Sequence, residues 1–189
     1  KSTRAPVTPE TIFRWASVSK TATGMLAAKL SNEGALDLNR PLSSWQTSLH
    51  LPTSAERQLT LANLLSQRTG LTKNAFDEKL EANERPDVLR AGLAAAPLQC
   101  QPGTCHTYQN IAFDAASEIL GEAAQMPFAD KVQSRFFRPL GMASASYGMA
   151  GLTGANDWAR PHHQMEVRAV KEAYWRVPAA AGVNSNIVD

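Results

Sequence analysis

Ser17-Val18-Ser19-Lys20-Thr21 opens a run to Leu30 made mostly of small and apolar residues. The pattern predicts a helix over 17–30, with Ala22, Met25, Leu26, Ala28 and Leu30 packing on several sides. On a helix, residues three apart carry Cβ atoms about 5–6 Å from one another, so the Lys20 amine can reach the Ser17 hydroxyl. A helix start also offers unpaired N–H groups and a positive dipole end, which can receive an oxyanion. Lysine acts as a base only when burial or a nearby cation lowers its pKa, and the apolar surroundings of Lys20 favour burial. Alone, Ser-x-x-Lys is weak: average usage predicts about one chance match in a chain this long. Ser17 would then be a helix cap and Lys20 a solvated side chain.

Tyr108-Gln109-Asn110 follows much later and adds a phenol and a carboxamide. Tyr108 can pass the Ser17 proton toward a leaving group, and Asn110 can hold Lys20 and a substrate amide. The bland alternative makes Asn110 the cap of the helix that follows and Tyr108 a core aromatic. Taken together, the two motifs describe a serine acyl-transfer site that contains no histidine.

The 189 residues suffice for one domain with a real core; 43% apolar residues are ordinary for a globular protein, and 19% charged residues are a little low. A formal net charge of +2, with no basic run, argues against a nucleic-acid partner. No apolar stretch approaches the roughly 20 residues that span a bilayer. No apolar stretch of a signal peptide follows Lys1-Ser2-Thr3-Arg4, and the mature form of an exported protein would look the same. Cys100 and Cys105 flank a Pro102-Gly103 turn. They are either reduced thiols or a disulfide, which would contribute roughly 2 kcal/mol and suit an oxidising compartment such as the periplasm. A zinc site would need ligands beyond these two and His106. His162-His163 with Glu166 matches no zinc spacing and reads as solvated loop. No cofactor is implied: a Gly-rich phosphate loop is missing, as is the Gly-x-Ser-x-Gly elbow of an α/β-hydrolase.

Beyond the first helix, Gly34 suits a left-handed C-terminal cap. Thr60 caps a helix with Leu61, Leu64 and Leu65 inward, closed by Gly70. Pro86 starts another helix, stopped by Pro97. A fourth is expected over 110–120, ended by Gly121, and a fifth from Pro127 with Phe128, Val132 and Phe136 inward. Strand signals are thin: 143–149, and a pair of short strands within 167–175. Asn184-Ser185-Asn186 reads as a helix start with Asp189 in its first turn, so residues 1–189 read as a single domain cut from a larger one.

Read in order, the motifs resemble the class C β-lactamase and penicillin-binding family of serine hydrolases. The resemblance is carried by Pro6-Val7-Thr8-Pro9-Glu10-Thr11-Ile12-Phe13 running into Ser17-Val18-Ser19-Lys20, and by Gly34-Ala35-Leu36-Asp37-Leu38-Asn39-Arg40-Pro41. Leu64-Leu65-Ser66-Gln67-Arg68-Thr69-Gly70-Leu71 and Pro102-Gly103-Thr104 before Tyr108-Gln109-Asn110 extend it. Phe137-Arg138-Pro139-Leu140-Gly141-Met142 and Pro178-Ala179-Ala180-Ala181-Gly182-Val183 complete it. The resemblance implies an α+β, serine β-lactamase/transpeptidase-like fold, of which this chain is mainly the helical half with few strands. It implies Ser17 as nucleophile, Lys20 as its activating partner, Tyr108 as general base or acid, and Asn110 as substrate and lysine contact. Asn74, just past Gly70-Leu71, would face the substrate. It also implies a periplasmic or secreted enzyme that acts on β-lactams or D-Ala-D-Ala peptides through an acyl-enzyme.

Two departures stand out. The family's third motif, Lys-Thr-Gly or a variant, has no match after Asn110, and Arg68-Thr69-Gly70 lies in the wrong place. The family's central sheet would come mainly from segments before Lys1 and after Asp189. Helix faces meant for that sheet would be exposed, unless a longer natural chain, a second polypeptide or a swapped copy covers them. The rival readings are an esterase on the same scaffold and a non-catalytic fragment or binding module.

Overall fold

In the computed structural model, residues 6–189 are described; the Lys1-Ser2-Thr3-Arg4 stretch considered above lies outside them. The elements are β1 (Phe13–Arg14), a 3-10 turn (Ala16–Val18), α1 (Ser19–Asn32), α2 (Leu61–Leu65), α3 (Asp77–Glu81), α4 (Pro86–Gly92), α5 (Ala115–Ala124) and α6 (Phe128–Val132). They continue as β2 (Ser146–Tyr147), α7 (Gly148–Thr153), β3 (His162–His163), β4 (Glu166–Val167), α8 (Pro178–Ala181) and β5 (Val183–Ser185). β1, β5 and β2 form a small antiparallel sheet in that order, with Phe13 opposite Ser185 and Ser146 opposite Asn184. Helices outweigh strands, in line with the helical half of an α+β fold.

α1 packs against α5 and α8, and its Leu26, Ala27 and Leu30 are buried there with Ile119, Leu120 and Ala180. Its end follows the expected chemistry: Gly34 has φ 73°, and the Ala35 N–H returns to the Leu30 carbonyl at 2.9 Å. α2 begins with a reciprocal capping box between Thr60 and Asn63.

Several boundaries differ from the sequence reading. Ser17 sits in the 3-10 turn before α1, not in the helix itself. α2 ends at Leu65, and Gly70 serves the turn beyond it, at φ 82°. A Cβ at Gly70 would lie 2.7 Å from the Cys100 carbonyl oxygen, so this close approach requires glycine twice over. The fourth helix starts at Ala115, because Asn110 turns its side chain inward and caps nothing, and it passes Gly121 to reach Ala124. After α6 the chain takes a wider π turn, Gln133–Phe137. That shift buries Phe137 and leaves Phe136 only half-buried, breaking the four-residue repeat. Asn184 and Ser185 belong to β5, held from both sides by β1 and β2. Asn186 alone behaves as a cap, its Oδ1 accepting from the Val188 and Asp189 N–H groups. In 167–175 the strand is only the end of β4, and Ala173–Arg176 is a 3-10 turn.

The inner face of α1 is covered, while Met25 on its outer face and Val88 on α4 are exposed; Val7, Phe13 and Ile187, also exposed, line a groove beside β1. No helix among the described residues is long and apolar enough to cross a membrane.

Cys100 and Cys105 form a disulfide. The loop it closes is strapped to the residues after α2: Gln99 N–H donates to Gly70 O at 2.8 Å and Gly103 N–H to Arg68 O at 2.8 Å. Replacing both cysteines by serine is expected to lower the unfolding free energy by about 2 kcal/mol. Urea denaturation with and without dithiothreitol checks this, since the double variant should then be indifferent to the reductant.

Candidate active site

The site is assembled from three distant stretches, each fixed by its own local bonds. Ser17 reaches its position through a tight bend. Ala16 has φ 49°, the left-handed region that costs a non-glycine residue about 1–2 kcal/mol. The bend is clamped on both sides. Trp15 N–H donates to Val183 O at 2.9 Å, its indole N–H donates to Ser185 Oγ at 2.8 Å, and Val183 N–H donates to Ser19 Oγ at 3.0 Å. Ser19 within the motif and Trp15 just before it thus dock this stretch on β5.

The Tyr108-Gln109-Asn110 stretch is held by its middle residue. Gln109 is fully buried; its main chain exchanges bonds with the Gln67 amide at 2.8 and 3.0 Å. Its side chain donates to Thr72 O at 2.6 Å and accepts from Ala75 N–H at 3.2 Å. A third stretch, before β5, presents the Ala180 carbonyl. It is anchored by Asp114, which accepts from Ala179 N–H at 2.9 Å while pairing with Arg90 at 2.7 Å. Arg90 also reaches Glu118 at 2.6 Å. Burial pushes the Asp114 carboxyl up to about 7, against the opposing pull of Arg90.

These stretches meet at Lys20. Its Nζ lies within hydrogen-bond distance of four oxygens: Asn110 Oδ1 at 2.8 Å, Tyr108 OH at 2.9 Å, Ala180 O at 3.0 Å and Ser17 Oγ at 3.3 Å. Ser17 Oγ and Tyr108 OH are themselves in hydrogen-bond contact. The exposed Ser17 hydroxyl therefore lies at the mouth, and the half-buried amine behind it. A cavity of about 280 Å³ adjoins Lys20 and Tyr108, lined also by His106, Phe113 and Thr21 among others. Burial lowers the Lys20 pKa, while the Tyr108 hydrogen bond and the charges of Asp77 and Asp114 pull it back up.

A neutral amine has two N–H bonds and one lone pair. Asn110 Oδ1 and Ala180 O can only accept, so they take the two N–H bonds and leave the lone pair facing the hydroxyls of Ser17 and Tyr108. Such an arrangement can draw a proton from Ser17 directly or through Tyr108.

Asn74 is placed beside the cluster but not in it. Its N–H donates to Tyr108 O at 2.9 Å, its side chain is exposed, and its φ is 56°. Three contributors were not visible in the sequence reading. Asp77 accepts from Asn110 Nδ2 at 2.7 Å and so fixes which way the amide faces. Tyr174 OH touches Asp77 at 3.4 Å and Glu81 at 2.8 Å. The Ala180 carbonyl is main chain, which no residue type signals. His162, His163 and Glu166 lie exposed on the β3–β4 hairpin, far in sequence from these groups, and Glu166 pairs with Arg168 at 3.2 Å. No cluster of three or more candidate metal ligands occurs among the described residues.

The fold corresponds to that of a known family. The family model "Beta-lactamase" matches residues 1–189, and the chain belongs to that family. It is 29% identical over 146 residues to the D-alanyl-D-alanine-carboxypeptidase/endopeptidase AmpH of Escherichia coli (strain K12), covering 73% of this chain and 37% of that one. It is 28% identical to protein Rv1367c of Mycobacterium tuberculosis, covering 75% of this chain and 40% of that one. The chain thus spans well under half the length of these curated relatives. Among solved structures, a class C beta lactamase from Rhodobacter sphaeroides superposes with TM-score 0.78 at 28% identity, covering all of this chain and 52% of the other. The octameric penicillin-binding protein homologue from Pyrococcus abyssi gives TM-score 0.80 at 22% identity, covering 98% of this chain and 44% of that one. The β-lactamase/transpeptidase-like fold follows from these superpositions.

Gln109→Ala is expected to destabilise the protein by about 2–4 kcal/mol, because it strands the buried Ala75 N–H and Thr72 carbonyl. Chemical denaturation measures this; a cost below about 1 kcal/mol would mean that the amide does not hold the motif.

Proposed function

We propose that the protein is a serine acyl-transfer hydrolase that forms an acyl-enzyme on Ser17 and acts on β-lactams or D-Ala-D-Ala peptides. The observation that carries this reading is the set of four oxygens around Lys20 Nζ, two of them carbonyls and two of them hydroxyls. Ser17 Oγ attacks the substrate carbonyl as its proton passes to Lys20, directly or through Tyr108. The tetrahedral intermediate collapses when the leaving amine takes a proton back from Tyr108. Water then attacks the ester, with the same pair acting as base, and frees Ser17. Asn110 keeps the Lys20 amine in place, and Asn74 is proposed to meet the substrate at the rim.

Membership of the family supports the reaction class, and AmpH's designation as a D-alanyl-D-alanine-carboxypeptidase/endopeptidase supports the choice of substrates. The disulfide supports a periplasmic or secreted location. We further propose that residues 1–189 form part of a larger domain. The apolar groove beside β1 supports this: a further segment, a second polypeptide or a swapped copy would cover it.

The test is intact-mass analysis after exposure to a penicillin. The expected result is an adduct of one penicillin on the parent and none on Ser17→Ala, with the fold retained. No adduct on the parent would remove the acyl-enzyme and favour a non-catalytic module. Turnover of short p-nitrophenyl esters without labelling by penicillin would favour an esterase. Tyr108→Phe should slow labelling by about 10²–10⁴-fold if the phenol moves the proton.

The pH dependence has a definite sign. The base form of Lys20 is the neutral amine, and burial lowers its pKa below the ordinary lysine value of 10.5. Labelling should therefore rise with pH through a midpoint below that value and level off above it. A midpoint at or above it would mean that burial does not tune this amine as the base.

A further inference from the structure

Behind β1 lies a second cavity, about 520 Å³ in volume, within the usual size range of small-molecule sites. Its floor is apolar: Leu152 and Trp175, with Ile12 beneath them, form a buried cluster separate from the main core. Its walls carry Arg14, Arg160, Arg168 and Lys171, against one carboxylate, Glu81, which is engaged by the Tyr174 hydroxyl at 2.8 Å.

Arg14 is the informative member. Its guanidinium stacks on the Trp175 ring at 3.9 Å, with Tyr174 at 5.8 Å, and makes no ion pair among the described residues. Its Nε is buried without a hydrogen-bond partner. Arg176 shares the buried, unpartnered Nε, but its terminal nitrogens donate to the Leu80 and Asn83 carbonyls, and Arg90 is held by two carboxylates; Arg14 has no such protein partner among the described residues. A half-buried cation that has only ring faces for company is costly, and an anion reaching it would relieve the cost. Burial lowers the Arg14 pKa, as expected for an uncompensated cation. The guanidinium fork suits two parallel bonds to a carboxylate.

We propose that this cavity binds a small organic anion whose carboxylate meets Arg14 and whose apolar body lies over Leu152 and Trp175. Arg160 and Lys171, with Arg168 that pairs with Glu166 at 3.2 Å, supply a positive rim that draws the anion in. The cavity meets the Ser17 site through the Tyr174–Asp77 contact, and the proposal does not depend on the function proposed above.

The test uses the 189-residue chain carrying Ser17→Ala, so that acylation plays no part. Naphthalene-2-carboxylate is titrated while the Trp175 indole N–H is followed by NMR. The expected result is saturable binding with a dissociation constant on the order of 1 mM or tighter, a common range for ligands of that size. Naphthalene-2-carboxamide, which lacks the charge, should bind at least about tenfold more weakly. Arg14→Met should also lose at least about tenfold, since the stack is kept and the charge is gone. Should that variant fail to fold, the exposed pair Arg168→Gln and Lys171→Gln serves instead, with an expected loss of about two- to fivefold per charge. Equal binding of acid and amide, unchanged binding in the arginine or rim variants, or no shift of the Trp175 signal up to the solubility limit would overturn the proposal.

Discussion

Three distant stretches of chain meet at the Lys20 amine, and the arrangement of everything around them can be understood as keeping that amine dry and aimed. Each contact comes from a different structural source: a side-chain amide, a phenol, a main-chain carbonyl and the hydroxyl one turn before it. A partly buried lysine is expensive unless its N–H groups are met. Here the burial that lowers its pKa and the oxygens that partner it are supplied together, so the amine stays tethered yet able to give up its proton.

Support for this point runs deeper than the contacts themselves. The Ala180 carbonyl stands where it does because Asp114 grips the preceding N–H, and Asp114 is set by Arg90, which is shared with Glu118. Asn110 faces Lys20 with its oxygen because Asp77 takes its nitrogen. Charge is therefore distributed behind the site in two buried arms, one reaching through α5 to α4 and one through α3 to Tyr174. Both arms carry carboxylates, and both oppose the fall in the Lys20 pKa that burial causes. The amine sits at a compromise between the two influences.

The sequence made the helices and the chemistry-bearing residues legible where side chains follow simple periodic or capping rules. Ser17, Lys20, Tyr108 and Asn110 come together as their types and order suggested, and Thr60 caps its helix as expected. What stayed hidden was set by tertiary contact. Asn184 and Ser185 look like a helix start by composition, yet two neighbouring strands claim their main chain. Asn110 could cap α5 by type, yet a lysine from another helix competes for its oxygen. The π turn after α6 moves one aromatic into the core in place of its neighbour, and no repeat in the sequence marks it. Asp77 is one acid among many until the fold brings it to the Asn110 amide.

Ala16 holds the left-handed bend that delivers Ser17 to the mouth of the site. Every alanine codon becomes a glycine codon by one base substitution, so a residue free of the steric penalty is always a single mutation away. Glycine there would also loosen the backbone next to the nucleophile, since it widens the range of bends the chain can adopt. At position 16, relief of backbone strain and rigid presentation of the serine therefore call for different residues, and alanine is the one that keeps the bend narrow.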